Sequence, residues 1–397
     1  MKKEYIDAQG QFTRLFFQDY FKPYGNNSPI EVQEANYFNS NAEQIAVKEK
    51  YQQSLTWPRG IKNYQLQIKV AGELKSYSVI VKSKQPYQAY ADAIVGIFLQ
   101  CGINLSEAEL NYYVSQLPFV YKSDIREIEI YRLQTKYPIL HEHMPLYCGD
   151  YVNVEEGIYT LIEKELSEAT FACSPVDYRA WHYDTILAAI NGAAKLHSVW
   201  YGKVDQQQPE AWIGYVTCAQ SQLALLPFWQ AMKDFAVQHF DCSTYDALHH
   251  QQLLDSLATW WGLIDTRPKT LIYNDFTLKN TCVTPEPRVY FFDWELAIIQ
   301  IPERDVCEFL TYVLPEDFSE ELLFEYIQHH RLRLEAYSGI KISDSYWLQG
   351  YLLALYDMLI DRLSFYIVVE SVEARNVAKL YRTTMRMITF IKARLEK

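Results

Sequence analysis

Apolar and polar residues alternate over Asn63–Val70 (NYQLQIKV) and again over Ser76–Val81 (SYSVIV). A period of two marks a half-buried strand, and the β-branched content agrees. Ala71-Gly72-Glu73 between them reads as a turn, so the two runs predict a hairpin. The spacing then lengthens to that of helices, over about residues 89–117 and from Ser123 to about Gln134, with Ser123 or Asp124 as the N-cap. Short strands are expected near Leu146–Val152 and Gly157–Glu163. Beyond Glu165 helical spacing dominates, over about 177–202, 220–261 and from Arg304 to the end. One β-island, Leu271–Asp293, interrupts it. The chain therefore reads as α+β, with a helical N-terminal extension over residues 1–50, a strand-rich unit over 51–165 and a helix-rich unit over 166–397.

Composition narrows the class. A chain of 397 residues with 49% hydrophobic and 22% charged residues can bury two or three compact cores. The net charge of −12 disfavours a nucleic-acid partner, although a local cluster of donors can still hold a phosphate. Seven widely spaced cysteines without a CxxC argue against a disulfide framework and suit a reducing cytoplasm. The start, MKKEYIDAQGQF, has no apolar run behind its lysines and is not expected to be a secretory signal. Tyr351–Val369 is apolar but is broken by Asp357, Asp361 and Arg362, so it predicts an amphipathic helix rather than a membrane span.

The chemistry concentrates in LIYNDFTLKNTCVTPEPRVYFFDWE, Leu271–Glu295. Leu271–Tyr273, Thr281–Thr284 and Val289–Phe292 are strand fragments, and Pro285-Glu286-Pro287-Arg288 suits a turn. With those four residues as a hairpin loop, Thr284 faces Val289, Cys282 faces Phe291 and Asn280 faces Asp293. Residues so opposed have β-carbons about 5 Å apart. An amide oxygen and a carboxylate would then meet at the hairpin's open end, with Asp275 in the loop leading into it. Magnesium carrying a polyphosphate takes such oxygen ligands. A further carboxylate can orient a hydroxyl and accept its proton. Each residue alone is an ordinary turn residue; the three together in this strand context favour a metal–phosphate site.

The spacing Asp-x-x-x-x-Asn, a hairpin, then apolar-Asp-Trp-Glu resembles the aminoglycoside phosphotransferase and choline kinase branch of the protein-kinase-like superfamily, from about Asn63 onward. The resemblance implies a two-lobed kinase-like fold, with a small β-rich N-lobe and a larger helical C-lobe. It implies an ATP- and Mg2+-dependent transfer of the γ-phosphate to a hydroxyl of a small molecule. Asp275 would be the catalytic-loop aspartate, and Asn280 and Asp293 would hold magnesium. Lys82, at the end of SYSVIVK, would hold the α- and β-phosphates. Glu127 would be its ion-pair partner, with Glu129 as the alternative. Thr160–Lys164, including Glu163 and Lys164, would pair with adenine through its backbone. Pro58-Arg59-Gly60, before the first expected strand, stands where a glycine-rich loop would. His197 would be structural, and Asp305 would anchor the catalytic-loop backbone. The residue usually histidine two before the catalytic aspartate is Tyr273, expected to take over its supporting role.

Trp347, Tyr351, Tyr356, Asp357 and Asp361 fall at helical spacings. They read first as core aromatics and a solvated acidic stripe. Were they to wall an acceptor pocket, its acids would suit a cationic acceptor. His141-Glu142-His143, His249-His250 and His329-His330 lack the spacing of zinc sites and read as surface or capping residues. Two other functions share this fold: a kinase acting on Ser or Thr of a peptide, and a catalytically inactive pseudokinase module.

Overall fold

The structure, a computed structural model, describes residues 3–23, 28–38, 57–166, 173–174, 177–204, 217–286, 288–370 and 376–397. Its elements begin with α1 (Arg14–Tyr20), β1 (Ile30–Phe38), β2 (Gly60–Val70), β3 (Glu73–Lys84), α2 (Tyr87–Cys101), α3 (Glu107–Gln116), α4 (Ser123–Arg132), α5 (Ile139–His143), β4 (Tyr147–Asn153) and β5 (Ile158–Lys164). Then come α6 (Tyr183–Ser198), α7 (Ala219–Ala224), α8 (Leu226–His239), α9 (Ala247–Asp255), α10 (Leu257–Asp265), β6 (Thr270–Ile272), β7 (Thr281–Val283), β8 (Val289–Phe291) and β9 (Ile298–Gln300). The chain ends with α11 (Glu303–Val313), α12 (Glu320–Ser338), α13 (Asp344–Met358), α14 (Ser364–Glu370) and α15 (Val377–Leu395).

Two compact units form. One comprises Met1–Ala93 and Lys122–Ala169, the other Ile94–Tyr121 and Thr170–Lys397. Residues 94–121 thus fall in the second unit, where the sequence reading put them in the first. The long helix expected over 89–117 is two helices, parted at Gly102, whose φ of +75° ends α2.

The first unit is a five-stranded antiparallel sheet in the order β1-β2-β3-β5-β4. The expected hairpin is β2–β3, closed by the two-residue turn Ala71-Gly72 with φ of +52° and +88°. That geometry matches the twist of the flanking strands. The helical N-terminal extension needs correction: α1 is helical, but Ile30–Phe38 is a strand paired with β2. Only Val32 of β1 is fully buried, so this edge strand carries almost no period-two signal. Pro58-Arg59-Gly60 accordingly leads into the second strand, which starts at Gly60 after the connection 39–59, of which 39–56 lie outside the described residues. Arg59 donates to the carbonyls of Lys84 and Gly157 and ties that segment to the sheet.

Alternation sorts the strands into two faces. Tyr64, Leu66, Ile68 and Val70 of β2 and Val79 and Val81 of β3 join Tyr5, Phe12, Phe16, Phe17 and Trp57 in one aromatic-rich core. The even-numbered Lys82 and Lys84 take the other face. The N-terminal segment closes tightly on β4: Lys22 N–H donates to Cys148 O at 2.7 Å. A β-carbon at Gly149, where φ is +132°, would lie 1.9 Å from Tyr20 O. Gly149→Ala should therefore cost about 3 kcal/mol in urea unfolding. Gly72→Ala, with open space around it, should cost about 1 kcal/mol.

The second unit is helical, with two two-stranded sheets, β6–β9 and β7–β8. The β7–β8 register corrects the expected hairpin: Thr281 faces Phe291, Cys282 faces Tyr290 and Val283 faces Val289. Thr284 N–H donates to Arg288 O at 2.9 Å, so the loop is one residue shorter than four and every pairing slips by one. Pro287 lies outside the described residues. The segment 351–369 is not one helix. A π-helical turn, Leu359–Leu363, joins α13 to α14. Trp347 and Tyr351 are buried in this unit, as expected of core aromatics, but Asp357 and Asp361 are buried too, so the solvated acidic stripe needs correction. All seven cysteines are free. Among the described residues no helix is long and apolar enough to cross a membrane.

Candidate active site

The first unit builds a cluster of alternating charge. Lys82 Nζ lies 2.9 Å from Glu127 Oε1, as the resemblance implied. It also lies 3.2 Å from Glu163 Oε1. Lys84 Nζ, two residues on and on the same face, lies 2.6 Å from Glu127 Oε2. Strand register explains the reach of Glu163: Ile80 pairs with Glu163 and Lys82 with Leu161, so Glu163 is diagonal to Lys82 on one face. Glu129, the alternative partner, bonds Arg132 at 2.6 Å instead. Burial alone would raise the Glu127 carboxyl, but Lys82 and Lys84 reverse this and hold it down at about 2. Burial, reinforced by Glu127, pushes Glu163 up against the pull of Lys82. The two lysines thus face two buried carboxylates.

Glu163 and Lys164 differ from expectation. Residues 160–164 lie within β5, paired with β3 on one side, and residues 160–163 pair with β4 on the other. The Lys164 N–H donates to Leu146 O at 2.9 Å, so the sheet itself uses this amide. Glu163 acts through its side chain, and the Lys164 side chain is exposed.

The segment expected to form the catalytic loop belongs to the second unit, between β6 and β7. Asp305, at the start of α11 and 1% exposed, accepts from Tyr273 N–H and Asn274 N–H, each at 2.7 Å. His197 Nε2 lies 2.9 Å from the same carboxylate. Both were expected to be structural, and the geometry supports that. The sequence missed what stands behind them. His330, read as a surface residue, is fully buried, with Nε2 3.2 Å from His197 Nδ1 and Nδ1 2.7 Å from Tyr351 OH. His250 is also buried, 3.0 Å from Tyr245 OH. Neither doublet is a surface feature, because each helix turns one histidine inward and the other partly outward.

Tyr273 supports the loop with its own chemistry. Its hydroxyl donates to Phe292 O and lies 3.2 Å from Asn280 O, and its ring packs on Trp294 at 4.8 Å between centroids. It thereby ties the loop to both strands of the hairpin. Asn280 donates from Nδ2 to Asp275 Oδ2 at 2.7 Å. The amide thus meets the loop carboxylate Asp275, whereas the pair expected at the hairpin's open end was Asn280 and Asp293. Asn280 O accepts from Phe292 N–H at 3.1 Å, so Asp293 stands one residue past the position facing Asn280. Its φ of +71° is uncommon for a non-glycine residue and turns the chain out of β8 there.

Negative charge accumulates around Asp275. Burial pushes its carboxyl up to about 8; Arg362 pulls it down, while Glu308, Asp293 and Glu295 push it further up. Such an excess of acids suits a cation, and carboxylate and amide oxygens are the donors a hard divalent ion takes. Among the described residues no cluster of three or more His, Cys, Asp or Glu could hold a metal by itself. A magnesium site made of one carboxylate, one amide and phosphate oxygens needs no such cluster.

The loop, the hairpin and the acids after it fall within one recognised segment. Residues 182–340 match the model of the phosphotransferase enzyme family. This bears out the resemblance carried by Asp275, Asn280 and Asp293. A five-stranded antiparallel sheet unit followed in the chain by a helical unit is the expected α+β kinase-like fold. No curated protein matches the chain. A choline kinase structure from Streptococcus pneumoniae aligns with 12% identity and a TM-score of 0.44, over 91% of this chain and 94% of that one. An aminoglycoside phosphotransferase from Alicyclobacillus acidocaldarius aligns with 10% identity and a TM-score of 0.43, over 84% and 90%. A spectinomycin phosphotransferase in complex with ADP and spectinomycin aligns with 12% identity and a TM-score of 0.40, over 96% and 92%.

Proposed function

We propose that this protein transfers the γ-phosphate of ATP, with magnesium, to a hydroxyl of a small molecule. The observation that carries this reading is the Asp275–Asn280 contact on a loop whose backbone is pinned by Asp305. Phosphoryl transfer needs positioning and charge stabilisation more than covalent chemistry, and this loop is built to hold position. Asp275 orients the acceptor hydroxyl and takes its proton. Asn280 and Asp293 would hold magnesium, which would supply charge neutralisation on the phosphates. In the first unit Lys82, set by Glu127 and Glu163, contacts the α- and β-phosphates, while Lys84 keeps Glu127 neutralised. The acids about Asp275 favour an acceptor carrying positive charge over an anionic one. Tyr273 restores the loop support that a histidine would give, so nothing at this position favours the inert module.

Two measurements test the reading together: phosphate release from ATP across a panel of hydroxylated amines, sugars and neutral metabolites, and titration of a non-hydrolysable ATP analogue with magnesium or with EDTA. Transfer to one acceptor class and at least tenfold tighter analogue binding with magnesium are expected. Absence of both would overturn the proposal.

A further inference from the structure

The residue before the catalytic aspartate is held at three of its polar groups. Asn274 is 2% exposed and sits at φ +56°, a left-handed conformation that few side chains adopt unaided. Its N–H goes to Asp305 Oδ1 at 2.7 Å, and its Nδ2 donates to Leu296 O at 2.9 Å. The third point, its carbonyl, is taken by Arg362 Nη2 at 2.5 Å, from 88 residues further along the chain. Both φ and ψ of this residue aim Asp275, so the third contact fixes what the first two leave free.

Arg362 is itself fixed on all sides. It is 4% exposed, its Nε lies 3.3 Å from Glu308 Oε1, and its guanidinium lies over Phe119 and Tyr366 at 5.7 and 5.9 Å from the ring centroids. Glu308 is held in turn by Arg304, and Arg304 by Asp357. This chain of buried ion pairs ends at the catalytic loop.

Arg362 stands in the π-helical turn Leu359–Leu363. A π-turn inserts one residue into a helix, rotating the helix beyond it by about 100° against the helix before it, and such turns recur at functional sites. Ser364 Oγ donates to Leu359 O at 3.1 Å and satisfies one carbonyl in the widened turn. The insertion lets α13 and α14 each keep a buried face while Arg362 is delivered to Asn274.

We propose that Arg362 is a positioning residue of the catalytic loop, presented by the π-turn to clamp the Asn274 carbonyl and so set the direction of Asp275. The kinetic consequence rests on the phosphotransferase reading; the clamp itself does not. A merely structural ion pair with Glu308 would serve stability alone.

The test compares Glu308→Gln with the double variant Arg362→Met/Glu308→Gln, which leave no unpaired buried carboxylate at 308. It also compares the wild type with Arg362→Lys, which keeps the positive charge beside Asp275 and so separates the clamp from that charge. The double variant should lose about 100-fold in kcat relative to Glu308→Gln, with nucleotide KM within threefold. Amide hydrogen exchange over residues 270–282 should rise at least tenfold. Should the double variant fail to fold, Arg362→Lys, which keeps the charge and one donor, carries the same readouts against the wild type. Equal kcat within each pair overturns the proposal, as does unchanged exchange. If the wild type transfers phosphate to nothing, the functional reading fails by itself, and the exchange measurement alone then decides the clamp.

Discussion

Asp275→Asn should lower kcat by about 10²- to 10⁴-fold while magnesium-dependent nucleotide binding stays within a few-fold of wild type. The substitution keeps the shape of the side chain, and its amide oxygen can still accept from Asn280 Nδ2, now at 2.7 Å from Asp275 Oδ2. The loop should therefore stay folded, and the loss should be one of proton acceptance. A second readout has the opposite sign. Burial, with Glu308, Asp293 and Glu295, raises the folded carboxyl from its ordinary 3.8 to about 8. Between those two values the folded protein keeps a proton that the unfolded chain has released. Stability from this group is then fully present at low pH and is lost as pH climbs through the window. Asparagine removes this dependence. In magnesium-free buffer the variant should melt higher than wild type above about pH 5, with a gap that widens towards pH 8. Lower activity with higher melting is the signature of a residue kept for chemistry at a cost in stability. Unchanged kcat would return the protein to the inert-module reading.

Asp305→Ala should cost about 4 kcal/mol of stability, the largest stability loss expected of any change near the site. It strands the amides of Tyr273 and Asn274 and leaves His197 Nε2 without its carboxylate, all in a buried setting. Each stranded buried donor costs about 1–3 kcal/mol. Urea unfolding would measure the loss, and exchange at the two amides would show its place. Asp305→Asn should lie between, because one oxygen can still accept while the amino group faces a donor. If Asp305→Ala unfolds at the wild-type urea concentration, the anchoring role is wrong.

These effects differ in how far a linear reading could see them. The pair Asp275 and Asn280 was legible because both lie on one short segment, and their contact depends on a local turn. Asp305 and His197 were legible only through resemblance, since a lone acid at a helix start and a lone histidine on an apolar face are ordinary features. His330 left no usable signal. Next to His329 on a surface-like helix it reads as polar, and its burial depends on α6 and α13 packing against α12.

The N-terminal region shows the same limit. Ile30–Phe38 buries one residue fully, so its strand character comes from pairing with β2 and not from its own pattern. The hairpin after the catalytic loop was seen, yet its register slipped by one because the loop closes on the Thr284–Arg288 hydrogen bond. Proline and charge mark a turn without counting its residues. Asp293 consequently reaches its place through a left-handed turn rather than by direct pairing with Asn280.

Periodicity and spacing along the chain by themselves determined the β2–β3 hairpin and the helical second unit and marked Asp275, Asn280 and Asp293 as candidates, because each is encoded within a few residues of itself. Tertiary packing alone decided that Glu127 rather than Glu129 meets Lys82, that Lys84 and Glu163 join them, and that Arg362 closes on Asn274 from far along the chain. Those contacts join residues distant in sequence, and which distant charges meet depends on strand register, helix rotation and one inserted helical residue, none of which leaves a local pattern to read.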